Sequence, residues 1–124
     1  MASILVIDDD VMAREMLREM LEQEGYEVFE APDGQEGIRL YRQESVDLVI
    51  TDIFMPEKDG LETVRDLGRE YPGAAIIAVT GYDRAEDMGC LSLARAYGAG
   101  RTFTKPFERK KMLQAVNTLL EKGT

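Results

Sequence analysis

Histidine is missing altogether from these 124 residues, and that absence removes Ser-His-Asp and Cys-His nucleophilic systems and most zinc sites together. Cysteine occurs once, at Cys90, so no internal disulfide can form and a reducing cytoplasmic location is expected. Positive charge is in deficit. With 15 Lys and Arg against 24 Asp and Glu, the net charge is -9, which opposes the phosphate neutralisation that non-specific nucleic-acid binding needs. Direct contact with nucleic acid is therefore not expected. Long apolar runs are lacking too: the stretch 74–79 is among the longest and falls far short of a bilayer span. Met1-Ala2-Ser3 carries no basic leader segment, so neither secretion nor membrane attachment is expected. There are no internal repeats, low-complexity stretches or linkers.

What remains is the composition of a soluble globular chain, 44% hydrophobic and 31% charged. Its length suits one domain over residues 1–124, able to bury roughly two-thirds of the surface its unfolded form exposes. Any chemistry must come from carboxylates, lysines and hydroxyls.

Residues 4–7, Ile-Leu-Val-Ile, form a short apolar run ending in acids, as a strand buried on both faces of a parallel sheet reads. Ala13, Met16, Leu17, Met20 and Leu21 then fall on one helical stripe, which Gly25 stops. On this pattern the methionines of the first helix are core filling. The alternation repeats: strands at 26–31, 47–51, 75–80 and 102–105, and helices at 35–44, 61–71, 84–97 and 107–122. Pro72-Gly73 closes the third helix, and Met112, Leu113, Val116, Leu119 and Leu120 make the stripe of the fifth. Strict βα alternation implies a parallel sheet between two helical layers with right-handed crossovers. Ligands of such sheets bind beyond the carboxyl ends of the strands.

Four strand ends carry the informative residues: Asp8-Asp9-Asp10, Asp52, Thr80 and Lys105. If the first and third strands are neighbours, Asp8, Asp9 and Asp52 crowd together, and each pair about 5 Å apart repels by roughly 3 kcal/mol at an effective dielectric of 20. Such crowding calls for a cation, and Mg²⁺ suits a site with few carboxylates and room for phosphate oxygens. Helix capping accounts for one of these acids but not for three. Lys105 offers a second neutralising charge, the Thr80 hydroxyl a hydrogen bond, and Gly81 space for a docking group. Together they describe an aspartyl-phosphate site.

At this point the sequence resembles the response-regulator receiver family of two-component signalling across essentially its whole length. The resemblance is carried by Val6-Ile7-Asp8-Asp9-Asp10, Thr51-Asp52-Ile53-Phe54-Met55-Pro56 with Asp59-Gly60, Val79-Thr80-Gly81, and Lys105-Pro106-Phe107. One such motif is weak; four in order at strand ends are specific. The resemblance implies a flavodoxin-like doubly wound (βα)5 α/β fold, with a five-stranded parallel sheet in the order 2-1-3-4-5. It implies that Asp52 accepts a phosphoryl group from a histidine kinase or histidine phosphotransfer protein. The ion, Mg²⁺ or Mn²⁺, would be held by Asp8 (directly or through water), Asp9, Asp52 and the Phe54 backbone carbonyl. It further implies a cis Lys105-Pro106 bond, a switch rather than a turnover enzyme, and output through the fourth helix, fifth strand and fifth helix to a downstream protein. A monomer or a phosphorylation-dependent dimer fits that output, and the basic cluster Arg109-Lys110-Lys111 on that side suits an acidic partner.

Rival functions fit less well. A dehalogenase-type phosphatase resembles Asp-x-Asp, where this chain has Phe54 at the second position. An FMN carrier needs a phosphate loop after the first strand, where three aspartates would repel it. A phosphorylation-independent pseudo-receiver would lack an acid or the lysine, and neither is lost. Departures from the family pattern are specific. The aromatic usually found three positions before the lysine is replaced by Thr102, with Phe103 beside it; either Thr102 signals by a smaller movement or another aromatic, such as Tyr97, fills the space. Gly89 weakens the start of the fourth helix by about 1 kcal/mol relative to Ala, so a late start is expected there.

Phe54 and Tyr82 hold the positions that tune phosphate hydrolysis in the family. Both are bulky and are expected to obstruct an in-line water, giving a long-lived phosphorylated form. Phe54→Asn should therefore dephosphorylate faster than wild type in a direct decay measurement; an equal or slower rate counts against this role.

Overall fold

Ser3–Ile7 forms β1 with every residue buried, because an Ile-Leu-Val-Ile run supplies apolar side chains to both faces at once. The computed structural model describes residues 2–53, 60–81 and 88–122. Around β1 follow α1 (Val11–Gln23), β2 (Glu27–Ala31), α2 (Gly34–Gln43), β3 (Leu48–Asp52), α3 (Gly60–Glu70), β4 (Ile76–Thr80), α4 (Met88–Tyr97), β5 (Arg101–Thr104) and α5 (Arg109–Lys122). The expected earlier beginning of the fourth helix, at 84–87, lies outside the described residues.

The strands form one parallel sheet in the order β2-β1-β3-β4-β5, the expected flavodoxin-like arrangement. Alternation along each strand divides the core in two. Ile4, Val6, Ile50, Ile77 and Val79 pack with α1 and α5 through Leu17, Leu21, Met112 and Val116. Leu5, Ile7, Val49, Ile76 and Ala78 pack on the other face with Ile38, Val64, Leu67 and Ala94 from α2, α3 and α4.

The first helix departs from the expected stripe. Met20 is buried, but Met16 is 68% exposed and Met12 79% exposed, so neither fills the core. The buried face of α1 runs through Leu17, Met20 and Leu21, narrower than the periodic pattern suggested. Met16, one residue and about 100° before Leu17, falls beyond its edge into a cleft shared with Phe107.

Register brings the strand ends level. Ile7 lies opposite Thr51, Asp52 opposite Val79, and Thr80 opposite Thr104. Asp8 and Asp52 thus leave neighbouring strands at one height. Where α3 begins, the chain passes close against the end of β3: the Gly60 N–H donates to the Ile53 carbonyl at 3.2 Å. A Cβ at position 60 would run into the Asp52 carbonyl and the Ile53 backbone, whereas one at Gly73 would meet nothing within 4 Å. Gly60→Ala should therefore cost about 2–3 kcal/mol in denaturant unfolding while Gly73→Ala stays near neutral. Equal midpoints for the two variants would show that α3 can shift freely.

Candidate functional site

Local structure at the end of β1 aims two of its three acids differently from the third. Asp10 is the N-cap of α1, its side chain accepting from the Met12 N–H at 3.0 Å. Capping therefore explains Asp10 alone. Asp8 is buried and Asp9 exposed. The Asp8 N–H extends the sheet to the Ala31 carbonyl at 3.1 Å, and its Oδ1 accepts from the Asp10 N–H at 2.9 Å.

Carboxylate oxygens of Asp8, Asp9 and Asp52 lie within 4.8 Å of one another. At that separation each pair of negative charges repels by roughly 3 kcal/mol at an effective dielectric of 20. Lys105 supplies a compensating charge directly: its ammonium donates to Asp8 Oδ2 at 2.9 Å and to Asp52 Oδ2 at 3.2 Å. One ammonium offsets one of the three negative charges. The donor set of the cluster, all hard carboxylate oxygen at the mouth of a sheet, fits Mg²⁺.

Lys105 reaches this point because its N–H continues the ladder to the Thr80 carbonyl at 2.7 Å. The Lys105-Pro106 peptide bond is cis. Beside it, the Thr80 hydroxyl is buried and, among the described residues, has no hydrogen-bond partner, an uncommon state for a buried polar atom. A donor so placed fits an incoming anion. Gly81, next to it, is partly exposed and lines the same cleft as Lys105.

Thr102 lies opposite Ala78, two pairs before Thr80 and Thr104. Its neighbour Phe103 packs on the α1 and α5 side and meets Phe107 edge-on, ring centroids 6.0 Å apart. Alternation turns Thr102 to the opposite face, where Tyr97 is a partly buried neighbour of the Ala78 cluster. Phe103 therefore cannot occupy the space on the Thr102 side. Phe54 and Tyr82 lie outside the described residues.

Sequence reasoning passed over Arg14. Its Nη1 donates to the Asp8 backbone carbonyl at 2.7 Å and its Nε to Glu30 at 3.3 Å. The available signal was position: 14 precedes Leu17 and Leu21 by three and seven residues, on the stripe where an apolar side chain belongs.

Acids from two adjacent strands, a lysine following a third and a buried hydroxyl at the end of a fourth thus meet at one edge of a doubly wound α/β sheet. The model of the response regulator receiver domain matches residues 4–117. The chain is 35% identical over 117 residues to the chemotaxis protein CheY of Halobacterium salinarum, covering 94% of this chain and 95% of that protein. It is 36% identical over 119 residues to the aerobic respiration control protein ArcA of Escherichia coli, covering 96% of this chain and 48% of ArcA. The chain thus spans half or less of the length of some curated relatives it matches. Among solved structures, a response regulator receiver domain protein of Clostridium thermocellum superposes with a TM-score of 0.91 at 32% identity, covering 98% of this chain and 96% of that one. Response regulator TrrA of Thermotoga maritima, in complex with Mg²⁺-BeF, superposes with a TM-score of 0.85 at 34% identity over 96% of this chain and 99% of its own. This chain belongs to the response regulator receiver family of two-component signalling. Among the described residues no helix is long and apolar enough to cross a membrane.

Burial pulls the Lys105 ammonium down, but its hydrogen bond to Asp8 and the charges of Asp52 and Asp8 outweigh that and raise its pKa above the ordinary lysine value. A raised folded pKa means that its contribution to stability is complete below the unfolded value of about 10.4. That contribution is lost as pH climbs through the folded value. The stability gap between wild type and Lys105→Met should accordingly be widest below about pH 10 and close above it. A gap independent of pH in urea titrations from neutral to strongly alkaline pH would contradict the pairing.

Proposed function

We propose that this chain, as a receiver unit over residues 1–124, is a cytoplasmic switch set by phosphorylation of Asp52. The observation that carries the reading is the packing of Asp8, Asp9 and Asp52 within 4.8 Å with Lys105 spanning two of them. Asp9 and Asp52 would hold Mg²⁺ or Mn²⁺ directly, Asp8 directly or through water, and the Phe54 carbonyl by family resemblance. When bound, the ion neutralises charge on the transferred phosphoryl oxygens.

An Asp52 carboxylate oxygen attacks the phosphorus of a phosphohistidine on a kinase or phosphotransfer protein. The P–N bond breaks, its electron pair returns to the imidazole nitrogen, and an acyl phosphate forms on Asp52. Lys105, already 3.2 Å from that carboxylate, transfers its ammonium contact to a phosphoryl oxygen. Thr80 Oγ1 donates to another, gaining the partner it lacks within the described protein, and Gly81 leaves room for the group. Asp52 is consumed and regenerated, so the domain catalyses only its own phosphorylation and dephosphorylation.

The donor approaches across α1. A cleft of about 750 Å³ beside Lys105 and Gly81 is lined by Met12, Met16 and Phe107, with Glu15 and Glu19 also contributing. Exposed methionines adapt to varied apolar surfaces, and the acids favour a donor helix with basic flanks. Withdrawal of Thr80 toward phosphate changes the α4, β5 and α5 side, with Thr102 and Tyr97 as the adjoining groups, and the signal passes to a downstream protein or a second copy.

Incubation with Mg²⁺ and a small phosphodonor should add one phosphoryl mass to wild type, seen by intact mass spectrometry, and none to Asp52→Ala. Beryllofluoride with Mg²⁺ should perturb only the wild-type spectrum. An adduct that persists in Asp52→Ala, or none in either protein, defeats the assignment.

A further inference from the structure

Arg14 occupies a place in α1 where a guanidinium is costly. Its side chain is only 15% exposed, against 45% for Arg18 one turn on, and a charge so far from water persists only where its donors are satisfied. They are met by two groups that bear on the acidic cluster. Nη1 donates to the Asp8 backbone carbonyl at 2.7 Å, and Nε to Glu30 Oε1 at 3.3 Å. Glu30 lies on β2 beside Ala31, whose carbonyl accepts the Asp8 N–H. Its second oxygen accepts from Arg18 Nη1 at 2.6 Å.

Asp8 is thereby fixed at every polar atom: N–H to Ala31, carbonyl to Arg14, Oδ1 to the Asp10 N–H, Oδ2 to Lys105. The bond that matters most is the one to the carbonyl. That carbonyl belongs to the peptide plane joining Asp8 to Asp9, and planarity means that fixing its oxygen fixes the direction in which Asp9 leaves the strand. Asp9 is exposed, with no burial to hold its carboxylate toward Asp8 and Asp52.

We infer that Arg14, oriented by Glu30, is a positioning residue for the metal-binding acids, holding the Asp8-Asp9 peptide so that the Asp9 carboxylate meets its two partners. This rests on the metal-dependent reading of the site given above. A bland alternative is that Arg14 only staples α1 to β2. Arg18 separates the two, since it shares Glu30 but does not donate to the Asp8 carbonyl.

The test is calorimetric titration of Mg²⁺ into folded wild type, Arg14→Ala, Arg14→Lys and Arg18→Ala, each first checked for a cooperative thermal transition. Loss of such an outer partner typically weakens metal binding 10- to 100-fold. Arg14→Ala should bind about tenfold or more weakly on that scale. Arg14→Lys should recover part of the affinity through an ammonium donating to the same carbonyl, and Arg18→Ala should bind like wild type. Should Arg14→Ala not fold, Arg14→Lys against Arg18→Ala decides, the lysine variant being the weaker binder. Arg14 variants that bind as wild type does, or an Arg18→Ala loss equal to theirs, overturn the role of Arg14 and leave the site reading intact. No uptake of Mg²⁺ by wild type overturns both.

Discussion

One ammonium group spans two strands that are not its own. Lys105 follows β5, yet its Nζ lies 2.9 Å from Asp8 after β1 and 3.2 Å from Asp52 at the end of β3. Three carboxylates within 4.8 Å would drive β1 and β3 apart at their tips without a positive charge among them. The sheet order makes the compensation feasible. With β4 beside β3 and β5 outermost, the ladder bond from Lys105 N–H to Thr80 sets the lysine stem at the height where the acids emerge, and its four methylenes cover the remaining width.

One ammonium offsets one of three negative charges, and the proposed function draws on the remainder. On the proposed reading, three acids that one ammonium does not offset would gain from a dication, and Lys105 with that dication would accept an anion the bare acids repel. Thr80 completes the design. Its buried hydroxyl, without a partner among the described residues, carries a cost that a phosphoryl oxygen would remove on the proposed reading. On that reading one event would relieve both the crowding of the acids and the hydroxyl's missing partner, which is how a local chemical change can bias a wider equilibrium.

Around this centre the scaffold is dense behind the acids and open beside α1. The backbone behind Asp52 sits against Gly60 with no space for a side chain, and the Asp8 peptide is tied at both ends. By contrast Val11, Met12 and Met16 stand exposed on α1 beside the cleft that leads to Lys105 and Gly81. An exposed apolar patch rimmed by acids suits the partner contact proposed for this side of α1. The basic cluster at the start of α5 is less uniform than its sequence suggests: Arg109 reaches Gln23 and Glu24 at the end of α1, and Lys111 lies near Glu108.

Strand runs, glycine stops and the placing of acids, threonine and lysine at strand ends are local or short-period properties, so residue order alone determined the fold class and the chemical inventory of its edge. Element bounds agree within a residue or two for most elements, because apolar period and capping residues act over a few positions. Periodicity could not say how wide a stripe the core would accept. It grouped Met16 with Leu17, whereas the packing of α1 on the sheet left Met16 in solvent. Nor could it turn Thr102 and Phe103 to known faces before the register of β5 on β4 was set. The place of Arg14 on the inward stripe of α1 marks it as unusual, but its two acceptors, Glu30 and the Asp8 carbonyl, come together only when β2 lies alongside β1. Chemistry carried by residue type was therefore legible in the chain, while pairing across strands far apart in sequence depended on tertiary register, which no local pattern encodes.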